Sequence, residues 1–139
     1  MKVTGILIFC LALVIGILPL FTDCQSQGKA LELPNGKTVA MKCHWTAVAE
    51  MVLAIPLAAL GGMLAFSKRK ETGISLSALG ALLGVFVVLI PTTLIGVCAS
   101  NMMLCNMLMS PVLVLAGVLV MAASLTQLVI SYRSQEQAA

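Results

Sequence analysis

An all-α membrane protein, a bundle of four transmembrane helices, is the fold class this sequence predicts, on three observations. Of its 139 residues 60% are hydrophobic and only 9% are charged, where soluble domains carry about 25% charged residues. Its mean hydropathy is +1.10. Its apolar residues also gather into four runs of about 20, the length a helix needs at ~1.5 Å rise per residue to cross a ~30 Å hydrocarbon core. Lipid offers the backbone no hydrogen-bond partners, so such runs must be helices rather than open strands. The length suits one domain, so residues 1–139 are read as a single membrane domain.

The first span is expected at 5–22. Lys2 ahead of an apolar run resembles a cleavable signal, but no small-x-small site follows. Asp23 stands before Cys24 where a lipoprotein site has a small residue. A retained helix is the expectation, with Cys10 inside it as a small buried hydrophobe.

Residues 23–45 form the one sizeable stretch between spans. Ala30-Leu31-Glu32-Leu33 and Lys37-Thr38-Val39-Ala40-Met41 flank Pro34-Asn35-Gly36. Asn-Gly between β-prone runs predicts a hairpin, because both residues tolerate positive φ. An isolated hairpin is marginal in water. A Cys24–Cys43 bridge would close a loop of roughly 20 residues and stabilise it by ~3 kcal/mol. Trp45 marks the membrane boundary, where an amphipathic ring is favoured.

The second span is expected at 46–66, followed by a short turn over 67–72 whose Lys68, Arg69 and Lys70 meet anionic head groups. The third is expected at 73–97. In it Gly80 and Gly84, extended backwards by Ser77 and Gly73, make a small-residue stripe for close helix packing, within the bundle or onto a partner helix. The stretch 98–106 carries Cys98 and Cys105, where a bridge would fasten the tops of helices three and four. The cross-pairings with Cys24 and Cys43 stay open, since four cysteines allow three connectivities. The fourth span is expected at 104–131. Each span holds one proline, Pro19, Pro56, Pro91 or Pro111. Proline removes a donor and kinks a helix, and Thr92 and Thr93 stand ready to bond the carbonyls freed near Pro91.

Basic residues set the orientation. Lys2, Lys68, Arg69, Lys70 and Arg133 fall on one side of a four-span chain, which the positive-inside rule makes cytoplasmic with both termini inside. Lys29, Lys37 and Lys42 on the other side are partly offset by Asp23 and Glu32. The four clustered cysteines then face the oxidising side, where disulfides persist. The net charge of +3 lies near helix ends, so it speaks to topology rather than to nucleic acid. One Trp and one Tyr cannot build a stacking platform for bases.

The candidate functional polar residues are His44, Glu50 and Asn106. Glu50 lies about one turn into the second span, where an ionisable group is costly unless paired or hydrated; it is expected to snorkel to the interface or to bond to His44 or Asn106. His44 with Met41, Met102 and Met103 makes a soft-ligand set suited to Cu(I) or haem iron. Disulfide-bonded cysteines are not ligands, however, and methionine is common apolar filler. No metal and no cofactor is therefore expected. The chain has one histidine, no paired carboxylates within its spans and no CxxC, so no catalytic residue is assigned.

Cys43-His44-Trp45-Thr46-Ala47 with Ala49-Glu50, then Ile95-Gly96-Val97-Cys98 and Leu104-Cys105-Asn106, resembles an uncharacterised family of small bacterial four-helix membrane proteins. The resemblance covers nearly the whole chain. Members of that family are often encoded beside MacB-type ABC transporters, which implies an accessory or regulatory subunit of such a transporter in the bacterial inner membrane. The architecture alone also resembles quinone-linked thiol oxidoreductases of the DsbB and vitamin K epoxide reductase type, although those rely on a CxxC. The expectation is a non-enzymatic subunit whose partners are the lipid bilayer and another membrane protein. A thiol–disulfide oxidoreductase and a haem or Cu(I) binder are the alternatives.

Overall fold

The computed structural model describes residues 2–25, 28, 31–67, 70–98 and 103–136. Four helices long and apolar enough to cross a membrane dominate it: α1 (Lys2–Thr22), α2 (Lys42–Phe66), α3 (Lys70–Leu89) and α4 (Ser110–Glu136). A π-helical turn, Ile90–Leu94, continues α3, and another, Cys105–Met109, leads into α4. Lys68, Arg69, Lys29 and Met102, named above for topology or metal binding, lie outside the described residues.

Helix bounds differ from the expectation by a few residues at several ends, and two of these differences have a plain physical reason. The second helix begins at Lys42 rather than at 46, because no breaker separates Met41, extended at φ −72° and ψ 162°, from the apolar run. This places Cys43, His44 and Trp45 on a helix turn. The third span stops at Leu94 rather than at 97. Pro91 has no N–H to give, and the register widens so that the N–H of Ile95 bonds the carbonyl of Ile90 at 3.1 Å. Gly96 then turns the chain away at φ +77°. Thr92 Oγ1 donates to the Val88 carbonyl at 2.7 Å and Thr93 Oγ1 to that of Leu89 at 3.2 Å, the compensation expected beside Pro91.

The hairpin is a short antiparallel ladder of β1 (Leu31–Glu32) and β2 (Thr38–Val39), with Leu31 opposite Val39 and Glu32 opposite Thr38. Its turn is not an Asn-Gly pair with both φ positive. Only Gly36 has positive φ, at +73°. The Gly36 N–H closes a turn on the Leu33 carbonyl, and the Leu33 N–H bonds the Lys37 carbonyl, both at 2.9 Å. That is the three-residue loop ending in a left-handed glycine, and Pro34 explains it, since its ring forbids positive φ at the first turn position.

The helices pack chiefly as two pairs, α1 with α2 and α3 with α4. In the first pair a Cβ on Gly61 would stand 2.6 Å from the Phe9 backbone nitrogen. In the second, a Cβ on Gly84 would stand 2.8 Å from Met121 Cγ, and one on Gly117 3.1 Å from the Gly84 carbonyl. Only glycine allows such approach, and small residues supply the packing that apolar attraction cannot supply between helices in lipid. The Gly80–Gly84 stripe therefore serves contact within the chain.

Polarity is inverted relative to a water-soluble bundle. Thr46, Glu50, Ser77, Ser124, Gln127 and Ser131 are buried, while Val3, Ile55, Phe66 and Leu115 are exposed. Buried polar groups with apolar outer faces are what hydrocarbon solvent selects, and in water so much exposed apolar surface would drive association. Cys10 follows the same logic. It is exposed on the outer face of α1, not buried as expected, because its neighbours Ile8 and Ala12 take the inward positions.

Candidate functional site

The cysteine-bearing end of the bundle is assembled from four places. Cys24 follows α1, Cys43 is in the first turn of α2, Cys98 follows the π turn after α3, and Cys105 opens the π turn before α4. Helices alternate in direction, so all four arrive at one end. Their sulfur atoms lie within 4.8 Å of one another. Cys24 and Cys43 are bridged, as the loop-closure argument expected.

Cys98 and Cys105 are free thiols, so the expected bridge between them is not formed. Their sulfurs sit beside those of the Cys24–Cys43 pair. Cys98 Sγ lies 3.1 Å from Cys43 Sγ and 3.8 Å from Cys24 Sγ. Cys105 Sγ lies 3.3 Å from Cys24 Sγ. Each thiol thus rests against the Cys24–Cys43 bridge. Gly96 fixes the Cys98 strand, because the Thr46 hydroxyl donates to the Gly96 carbonyl at 2.7 Å. The cluster's sulfur surroundings extend to two methionines, with Met103 Sδ 3.9 Å from Cys24 Sγ and Met41 Sδ 4.0 Å from Cys98 Sγ.

Access is unequal. Cys24, Cys43 and Cys105 are buried, and Cys98 is half-buried. Cys98 also lines a cavity of about 510 Å³ with Leu31, Val39, Met41, Lys42 and Met103. Its walls come from the hairpin, the start of α2 and the residues flanking the fourth span.

The remaining candidates separate. His44 Nδ1 lies 2.9 Å from Asp23 Oδ2, so it pairs with Asp23 and not with Glu50. Asp23 went unrecognised from sequence as a partner. The signal was there: Asp23 precedes Cys24 and His44 follows Cys43, so bridging the cysteines brings the two together. Asn106 is half-buried in the π turn of Cys105–Met109. Glu50 is fully buried, and neither carboxylate oxygen has a hydrogen-bond partner among the described residues, against the pairing or snorkelling expected for it. Gly80 of the packing stripe lies against Ser124, Gly84 lies against Met121, and Ser77 is buried.

A family model described as a domain of unknown function, DUF4418, matches residues 6–130. The chain belongs to that family. Among curated proteins and among solved structures none matches it. The DUF4418 match spans all four helices and all five cysteines. All four cysteines of the sulfur cluster lie within the matched residues.

Proposed function

We propose that this chain is a membrane thiol–disulfide exchange protein, with the cluster on the outer side of a bacterial inner membrane and both termini cytoplasmic. The observation that carries the reading is two free thiols, Cys98 and Cys105, 3.1 and 3.3 Å from the two sulfurs of one bridge. Exchange proceeds by attack of a thiolate on a disulfide sulfur, and proximity of this order replaces an encounter in solution by an internal step. The Cys98 thiolate attacks Cys43 Sγ, a Cys43–Cys98 bond forms, and Cys24 leaves as a thiolate that takes up the proton Cys98 released. Cys105 attacking Cys98 then moves the bridge to the second pair and frees Cys43. No oxidant is consumed in either step. Once bridged to Cys43, Cys98, beside the open cavity, is the sulfur that a dithiol of a partner protein attacks; a mixed disulfide forms as Cys43 leaves, and the partner's second thiol then displaces Cys98, so that the cluster accepts two electrons and two protons.

This reading answers the objection that no CxxC is present. Folding, rather than sequence spacing, brings the sulfurs together. The subunit role implied by the family resemblance would have to use the apolar outer faces, because Gly80 and Gly84 are taken by α4.

Acid quenching, alkylation and mass spectrometry test the proposal. The unaltered protein is expected to hold a mixture of Cys24–Cys43 and Cys43–Cys98 pairings. A Cys24→Ser variant should accumulate Cys43–Cys98, and a reduced dithiol peptide should form its mixed disulfide at Cys98. A single inert Cys24–Cys43 pairing, with Cys98 silent toward the peptide, would overturn it.

A further inference from the structure

Reduced, the same sulfurs have a second capability. We infer that the fully reduced cluster of Cys24, Cys43, Cys98 and Cys105 is a binding site for one soft metal ion, Cu(I), closed when the Cys24–Cys43 bridge forms. The inference concerns the reduced state, in which no disulfide is left to exchange, so it stands or falls separately from the exchange reading.

Geometry comes first. A metal–sulfur distance of about 2.3 Å in a tetrahedral site sets sulfurs about 3.8 Å apart. The Cys24–Cys98 separation is 3.8 Å, the unbridged Cys43–Cys98 and Cys24–Cys105 contacts are 3.1 and 3.3 Å, and no pair in the group exceeds 4.8 Å. The two short unbridged contacts would open by about 0.5–0.7 Å, and the Cys24–Cys43 pair, once reduced, would part to the same spacing of about 3.8 Å.

The donor set selects the metal. Thiolate sulfur suits Cu(I) and Zn(II) alike, and carboxylate, carbonyl and water suit hard cations; added thioether sulfur turns the choice to Cu(I). Met41 Sδ and Met103 Sδ lie 4.0 and 3.9 Å from cluster sulfurs, which adds thioethers to thiolates. His44 is engaged with Asp23 at 2.9 Å, so this site is built of sulfur and differs from the histidine-centred set considered from sequence. Three of the four thiols are buried, which protects a bound Cu(I) from water, and the cavity at Cys98 offers a way in.

Redox state gates the site by simple stoichiometry. A bridge consumes two of the four sulfurs as ligands. A dithiol reductant cleaves it by giving two electrons and two protons and becoming a disulfide itself. The thiols then exchange their protons for the metal. Exchange with the disulfide of a partner protein, which takes up two electrons and becomes a dithiol, re-forms the bridge, removes two ligands and expels the ion.

The test uses the full chain in detergent, without oxygen, titrated with Cu(I) against a chromogenic Cu(I) chelator. Phosphine-reduced protein is expected to take up one equivalent, with a thiolate-to-copper charge-transfer band and a sulfur-only shell in X-ray absorption. Oxidised protein should take up none. Cys98→Ser and Met103→Leu should each weaken retention against the chelator, and the X-ray shell of the unaltered protein decides the matter even if a variant misfolds. No uptake by reduced protein, equal uptake by oxidised protein, or nitrogen or oxygen in the metal shell would each overturn the inference.

Discussion

Glu50 is the residue whose setting costs the chain most. Its carboxyl is fully buried with no hydrogen-bond partner among the described residues, and an unpaired charge there is destabilising unless a proton or a cation neutralises it. Sequence flagged the residue but assigned its partners wrongly, and helix geometry explains why. At roughly 3.6 residues per turn, His44 lies about a third of a turn around α2 from Glu50, whereas Cys43, seven residues away, shares its face. Cys43, Ala47, Glu50, Ala54 and Leu57 form one buried line. Replacing an unsatisfied polar group by an apolar one of similar size relieves a penalty of about 1–3 kcal/mol. Glu50→Leu is therefore expected to raise the melting temperature of the detergent-solubilised protein, and Glu50→Gln, which keeps unsatisfied polar atoms, to raise it less. A clear fall for Glu50→Leu would show that the carboxyl has a stabilising partner. His44→Phe should lose the 2.9 Å hydrogen bond with Asp23 at only about 0.5–1.5 kcal/mol, the net worth of such a bond.

At the scale of elements, the two π turns decide where Cys98 and Cys105 point. A π turn holds one more residue than an α turn between bonded groups and so rotates the side chains on one side of it relative to those on the other. Ile90–Leu94 precedes Cys98, and Cys105 opens the other. Pro91 and Gly96 signalled an irregular helix end, but the widened register rests on tertiary fit that a sequence pattern does not encode. The local Cys98–Cys105 pairing looked natural for that reason, and the cluster became visible only in three dimensions. The small-residue stripe was more legible, since Gly80 and Gly84 do meet α4. The matching Gly5–Gly61 contact of α1 and α2 lacks a small-xxx-small repeat of the same prominence and went unread. Thr46→Val should cost about 1 kcal/mol by leaving the Gly96 carbonyl without its 2.7 Å bond. It should also slow exchange at Cys98, read as the rate at which Cys43–Cys98 grows in from the Cys24–Cys43 form of the otherwise unaltered protein by acid quenching and mass spectrometry. Gly84→Leu forces a side chain into Met121, and overpacking of this kind costs about 1–3 kcal/mol. Its expected signature is a lower melting temperature.

Over the whole molecule, the cluster is divided between the two helix pairs. Cys24 and Cys43 belong to α1 and α2, while Cys98 and Cys105 flank α3 and α4. At the opposite end the pairs are joined by Thr4 Oγ1 donating to Gln127 Oε1 at 3.0 Å. The membrane class, the four spans and the hairpin were legible because composition and local turn chemistry determine them. The union of the pairs was not, because contacts between distant segments leave no periodic trace. Orientation connects this architecture to chemistry, since a bridge persists only on the oxidising side of a membrane. Labelling with a membrane-impermeant maleimide tests it on intact cells, counting added mass against the unaltered chain. Asn35→Cys, in the exposed hairpin turn, is expected to gain one label in intact cells. Ser134→Cys, near the end of α4, should gain its label only after lysis if the proposed orientation holds, in which the positive-inside rule puts Arg133 and Lys2 on the cytoplasmic side. The reverse pattern would place Cys24 and Cys43 in a reducing compartment, where the bridge would open and metal binding rather than exchange would be the state at rest.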